Sequence, residues 1–243
     1  MKLTPAGDEQ RRYWRDVDIA HFEWQTRGAY IARTEAALLS GVEAGPGEKL
    51  LEIGCGEGAN LHHLVGRGAT LFGIDFTLGK ARFAAARTGA HTACADAGRL
   101  PFRDGAFDAV LVRDLLHHVP ERMRVLDEAH RVLAPGGRIT VIEPNGRNPL
   151  IAAQATAISA ERGMLASTAE RLRGELTIAG FTSVRLERAQ PMPFSRILLH
   201  YKLGAPSLGR RGFIASLIDR AERSLEWLPG AVWAYLVAHG ARA

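Results

Sequence analysis

Cysteine is scarce. Cys55 and Cys94 are the only two in 243 residues. A pair cannot build a disulfide framework, and neither has a partner at metal-ligand spacing, which fits a reducing compartment. No apolar run approaches the roughly 20 residues that span a bilayer. The first stretch, Met1-Lys-Leu-Thr-Pro-Ala-Gly-Asp-Glu9, has no apolar signal core. The expectation is a cytoplasmic protein. Lysine blocks are absent too. The formal charge of +5 and the pI of about 9.6 come mostly from scattered arginines. That pattern argues against a nucleic-acid tail and for a basic surface, with at most a weak attraction to anionic lipid or an acidic substrate. Internal repeats and low-complexity segments are also missing.

Apolar residues make up 47% of the chain and charged ones 23%, enough for one sizeable α/β domain with a modest extension. The organising stretch is Lys49-Leu-Leu-Glu-Ile-Gly-Cys-Gly-Glu-Gly58. It reads as a short buried strand, a turn with glycine at 54, 56 and 58, and a helix over 59–67. Further strands are expected over 70–75, 92–96, 107–112 and 138–143, with helices over 78–88 and 121–133 between them. This alternation predicts a parallel sheet with helices on both faces. A helix over 168–179, a strand over 184–187 and a closing strand over 233–238 complete the pattern. Residues 1–45, rich in aromatics such as Tyr13, Trp14, His21 and Trp24, read as a helical cap or lid, with a helix over 31–39. Residues 46–243 form the main domain. An insertion at about 190–230 is expected to cover the substrate pocket. Its apolar stripe Phe213, Ile214, Leu217, Ile218, Ala221, Leu225 and Leu228 suits a helix on the core or cap, or one facing a membrane.

Three details narrow the ligand of the glycine turn. No Gly-Lys-Ser/Thr follows it, which excludes the P-loop. The spacing Gly-x-Gly-x-Gly, with Ala59 next, departs from the Gly-x-Gly-x-x-Gly that seats a pyrophosphate, although alanine is sometimes tolerated there. Glu52, inside the strand, repels phosphates and suits a cationic ligand. Asp75 closes the second strand 19 residues after Gly56, the usual place for a carboxylate that accepts from both ribose hydroxyls. Asp96 and Ala97 close the third, where a carboxylate meets an adenine amine and the next N–H a ring nitrogen. Together these strand ends describe an adenosine with a cationic tail and no phosphate, which is S-adenosylmethionine.

The chain resembles the class I S-adenosylmethionine-dependent methyltransferases. The matching pieces are Leu51-Glu-Ile-Gly-Cys-Gly-Glu-Gly58, Gly73-Ile-Asp75, Asp96-Ala-Gly-Arg-Leu-Pro-Phe102, Phe107-Asp-Ala-Val-Leu-Val112, Leu116-His-His-Val119 and Arg131-Val-Leu-Ala-Pro-Gly-Gly-Arg-Ile139. They arrive in family order over 50–143, about two-fifths of the chain. The resemblance implies an α/β, Rossmann-like, seven-stranded and mostly parallel sheet whose last strand is antiparallel. It implies Gly54 and Gly56 beside the methionine part, Asp75 at the ribose and Asp96 at the adenine, with Glu52, Phe76, Ala97 and the backbone of Arg113 in the same cofactor set. Arg27 or Arg33, upstream of the turn, pairs the methionine carboxylate or is a solvated helix residue. S-adenosyl-L-homocysteine is the implied product, and no metal is implied.

Methyl transfer needs a nucleophile held in line about 3 Å from the sulfonium methyl group, and a base only where that nucleophile carries a proton. The region after the fourth strand, Arg113-Asp-Leu-Leu-His-His-Val-Pro120, lies where open α/β sheets bind ligands. His117 is the catalytic candidate, as a base, a substrate-positioning residue or a structural one. The Asn/Asp-Pro-Pro-aromatic motif for nucleobase amines is missing, as are reactive cysteine clusters and basic tracts with interleaved aromatics for RNA. The expected acceptor is a small molecule, apolar or lipid-like, with peripheral membrane contact as an option and no nucleic acid. The rival readings are an S-adenosylmethionine-binding regulatory subunit without methyl transfer, or another reaction on the same cofactor. Oligomeric state is not legible.

Overall fold

A computed structural model describes residues 12–202 and 204–243. Its strands are β1 (Lys49–Ile53), β2 (Thr70–Asp75), β3 (His91–Cys94), β4 (Phe107–Arg113), β5 (Leu133–Pro144), β6 (Thr182–Ala189) and β7 (Tyr235–Ala241). They form one sheet in the order β3-β2-β1-β4-β5-β7-β6. β1 to β5 run parallel, and β7 is antiparallel to both β5 and β6. The expected sheet is therefore present, including its antiparallel last strand.

Successive side chains of a strand point to opposite faces. Leu51, Ile53, Val110, Val112 and Val141 accordingly pack on one side, against α5 (Arg122–Val132) and α7 (Ala169–Ile178). Leu50, Leu111 and Ile142 pack on the other. There they meet the end of α2 (Ala29–Leu38), α3 (Ala59–Leu64) and α6 (Pro149–Ala157). β4 reads as a nearly unbroken apolar run because both of its faces are covered. Further helices among the described residues are α1 (Ile19–Arg27), α4 (Leu78–Thr88), α8 (Phe194–Leu198) and α9 (Gly212–Arg223).

Several boundaries differ from the sequence expectation. In the N-terminal region α1 and α2 are separated at Gly28; residues 1–11 of the expected cap lie outside the described residues. α3 is shorter than expected, because Val65 leaves helical geometry before Gly66. The closing strand begins at Tyr235, since Gly230–Val232 forms a short 3-10 turn ahead of it. Residues 149–166, to which the sequence reading assigned no element, form α6 and a 3-10 segment, Ser159–Ala166. The Asn148 side chain accepts from the N–H groups of Leu150 and Ile151, and Pro149 takes the first helical turn, a strong helix start. In α9 the apolar stripe is only half used: Ile218 is buried, while Phe213 is 80% and Leu217 55% exposed.

Candidate functional site

The glycine turn follows β1 with three left-handed residues: Gly54 at φ 78°, Gly56 at 50° and Gly58 at 83°. A Cβ on Gly58 would lie 2.8 Å from Ala84 Cβ, so this glycine lets α3 start tightly against α4. A Cβ on Gly56 would meet nothing within 4 Å, and the turn presents bare backbone to a cavity of about 1900 Å³. The Gly56 N–H donates to Asp75 Oδ2 at 3.1 Å and the Thr77 N–H to Asp75 Oδ1 at 2.8 Å. These bonds fix the carboxylate at the end of β2, where burial pushes its acid strength down and its pKa up. Asp96 Oδ1 is held by the Gly98 N–H at 2.8 Å. Gly54, Gly56, Asp75, Phe76, Asp96, Ala97, Arg113 and His117 all line this one cavity. Open backbone at the turn and carboxylates at two successive strand ends match the donor needs of S-adenosylmethionine. The space exceeds the roughly 300–1,000 Å³ of an ordinary ligand pocket, which leaves room for an acceptor beside the cofactor.

Two expected cofactor residues are placed elsewhere. Arg33 is exposed on α2, with its guanidinium 3.8 Å from Asp219 and over the Tyr30 ring, and it is not among the residues lining the cavity. Helical phase turns it toward α9. Glu52 is wholly buried beneath the turn, on the same strand face as Leu50. Its Oε1 accepts from Asn60 Nδ2 at 2.6 Å, Oε2 has no partner, and burial pushes its pKa up to about 8. A carboxyl group held mostly protonated at neutral pH cannot repel phosphate in the way expected of it. The Arg113 side chain turns under the sheet, donating to Asn60 Oδ1 at 2.8 Å and pairing with Glu35. Glu35 also takes Arg196 Nη2 at 2.5 Å. One buried polar chain, Glu52-Asn60-Arg113-Glu35-Arg196, thus joins the floor of the turn to α8.

At the far end of β4, Asp114 adopts φ 48°, sparsely populated for a residue with a Cβ. The chain then makes a 3-10 turn, Leu116–His118. His117 Nδ1 lies 2.8 Å from Glu143 Oε2, and Nε2 lies 3.4 Å from Glu161 Oε2. Burial opposes charging of this imidazole, but the two carboxylates win and push its pKa up to about 10. His117 is thereby held between two carboxylates that favour its protonated form. Burial and the neighbouring imidazolium push His118 down to about 4.

The walls come from three places. Trp14, Val17 and His21 line the cavity from the N-terminal region, and Asp18 ties that region to the cap by accepting from Tyr201 Oη at 2.7 Å. Arg196, Ile197 and His200 line it from the insertion, but nothing described beyond Lys202 does so until Tyr235, so only the first part of the 190–230 segment covers the pocket. Leu150, Ile151, Ala157, Ile158 and Met164 form a wall that sequence reasoning missed. The Asn148-Pro149 start signal was legible there. The partnership of Glu161 with His117 had no sequence signal, because 43 intervening residues separate the two in the chain.

Residues 51–141 match the family described as "Methyltransferase domain". Over 107 residues the chain is 38% identical to demethylmenaquinone methyltransferase of Mycobacterium tuberculosis, covering 44% of this chain and 45% of that protein. The chain spans less than half the length of the curated relatives it matches. Among solved structures, phosphoethanolamine N-methyltransferase 2 of Haemonchus contortus, in complex with S-adenosyl-L-methionine, superposes with a TM-score of 0.71 at 19% identity. That match covers 99% of this chain and 60% of that one. Geranyl diphosphate C-methyltransferase of Streptomyces coelicolor A3(2), in complex with geranyl diphosphate and S-adenosyl-L-homocysteine, gives 0.65 at 18% identity over 100% of both chains. These likenesses at low identity carry the fold alone. Residues 51–141 match a methyltransferase domain, and the chain as a whole has the fold of the S-adenosylmethionine-dependent methyltransferases on which it superposes.

Proposed function

We propose that this protein transfers the methyl group of S-adenosylmethionine to a small, largely apolar acceptor. The observation that carries the reading is the single cavity that joins the bare turn at Gly56, the carboxylates of Asp75 and Asp96, and an apolar wall from α6. Gly54 and Gly56 hold the methionine part, Asp75 the ribose, and Asp96 with Ala97 the adenine; Phe76 flanks the base. The bound cofactor supplies an electrophilic methyl group on a sulfonium. The chain's own residues position the acceptor behind it and exclude water. Leu150, Ile151 and Ile158 on one side and Val17 and Ile197 on the other suit an apolar body, while Asp114 and His200 supply polar contacts.

Contact with a lipid surface belongs to the same reading. Phe213, Leu217 and Trp227 are exposed, and Arg210, Arg211 and Arg220 lie exposed along that stretch. Such a pairing of apolar and basic residues suits an anionic interface. No helix among the described residues is long and apolar enough to cross a membrane.

The test is incubation of purified protein with methyl-labelled S-adenosylmethionine and an extract of the source organism. Label moving into an organic-extractable small molecule is the expected result. Stoichiometric cofactor binding with no transfer to any fraction would favour a binding protein without methyl transfer.

A further inference from the structure

Three side chains of metal-ligand type meet on the acceptor side of the cavity, and the cofactor half does not use them. His117 and His118 stand side by side, ring centroids 3.9 Å apart. Glu161 reaches them from the 3-10 segment after α6, its Oε2 at 3.4 Å from His117 Nε2 and 4.0 Å from His118 Nε2. One donor atom from each lies within 4.8 Å of the other two, and all three residues line the cavity. Glu161 is only 6% exposed, and its Oε2 makes no hydrogen bond closer than its approach to the two imidazoles. Buried carboxylate oxygens so thinly partnered are uncommon, and a bound ion is one of the few accounts of them.

The surroundings favour that account. Glu143 Oε1 accepts from the N–H groups of Leu115 and Leu116 at 2.9 and 2.8 Å, while Oε2 takes His117 Nδ1. Glu143 is thereby pinned, and it leaves Nε2 as the ring nitrogen turned to Glu161. A carboxylate on the far nitrogen is the usual way to orient a ligating histidine. Trp14 packs on the His118 ring at 5.1 Å. Glu161 comes this close only because residue 163 is glycine: a Cβ there would lie 1.8 Å from the His117 carbonyl oxygen.

We propose that His117, His118 and Glu161 hold one divalent first-row transition-metal ion, oriented by Glu143, with its open positions facing the cavity to take an oxygen atom of the acceptor. Ligand atoms about 2.0–2.2 Å from a shared ion sit about 3–4 Å from one another, so the observed separations need only a small closure. Two imidazoles and one carboxylate favour iron, cobalt, nickel or zinc over calcium or magnesium, and three protein ligands leave room for an exogenous one. The ion site stands on its own geometry; only its contact with the acceptor rests on the methyl-transfer reading.

The experiment titrates tag-free, chelator-stripped protein with Co²⁺ alone, reading the visible ligand-field absorption and the bound metal by elemental analysis. One ion per chain with micromolar or tighter affinity is expected. Glu161→Gln and His118→Ala should each weaken binding at least about tenfold, and Glu143→Gln about 10- to 100-fold. His91→Ala, on an exposed residue at the start of β3, should leave it unchanged. Circular dichroism and thermal unfolding establish that each variant is folded. Absence of saturable binding, or equal binding by folded Glu161→Gln and His118→Ala, overturns the site. Co²⁺ bound at this cluster in a protein that transfers no label overturns the acceptor contact and the methyl-transfer reading, and leaves the ion site standing.

Discussion

Glu52 is legible as an odd residue in a buried strand, but its meaning changes on folding. Read along the chain it is a charge beside a ligand turn; in the fold it is a buried acid bonded to Asn60. Its pKa of about 8 lies above the 4.5 of the unfolded chain. The folded state therefore holds the proton more tightly. Its contribution is fully present below about pH 4.5 and is lost as pH rises through 8. Glu52→Gln keeps an acceptor for Asn60 and removes the titration. The variant should gain stability relative to wild type between pH 5 and pH 9, on the order of a few kcal/mol at the upper end. Thermal unfolding across that range checks this, and a pH-independent difference would contradict it. Asp75 and Asp96 were legible because strand-end position is a sequence property. Arg33 was not, because which way a residue on a helix faces depends on what packs against it.

At the scale of elements, the strand-turn-helix unit was legible since glycine spacing and apolar runs are local. Its tightness was not. Gly58 is required both by φ 83° and by Ala84 on the facing helix. Gly58→Ala should cost about 2–4 kcal/mol, or roughly 5–15 °C in melting temperature, and weaken cofactor binding as the turn shifts. Calorimetric unfolding of the variant checks the first part; a loss under about 1 °C would remove the packing argument. The α6 wall went unread although Asn148-Pro149 announced a helix, because the sheet pattern alone required only a connection between β5 and α7.

Across the whole molecule, the sheet order follows from alternating elements, whereas the closure of the pocket depends on contacts between distant parts. Trp24 Nε1 donates to the Leu199 carbonyl at 2.7 Å, and Arg196 joins Glu35. No periodicity encodes such pairs. Arg196→Leu removes a charged hydrogen bond worth about 2 kcal/mol. It should lower the melting temperature by several degrees and speed limited proteolysis within 190–210; an unchanged digestion rate would show that the cap is held by other contacts. The outward face of α9 makes a separate prediction. Wild-type protein should cosediment with vesicles rich in anionic lipid and less so with neutral ones, and Phe213→Ser with Leu217→Ser should reduce sedimentation at least about threefold. Equal behaviour of both proteins would remove the lipid contact.

The cofactor pocket is the centre of this account, and calorimetric titration with S-adenosylmethionine tests it most directly. The account predicts one site per chain in the wild type. In a folded Asp75→Ala variant it predicts affinity at least about 100-fold weaker, because both ribose hydroxyls lose their acceptor. Near-normal affinity in the variant, or no binding by the wild type, would contradict it.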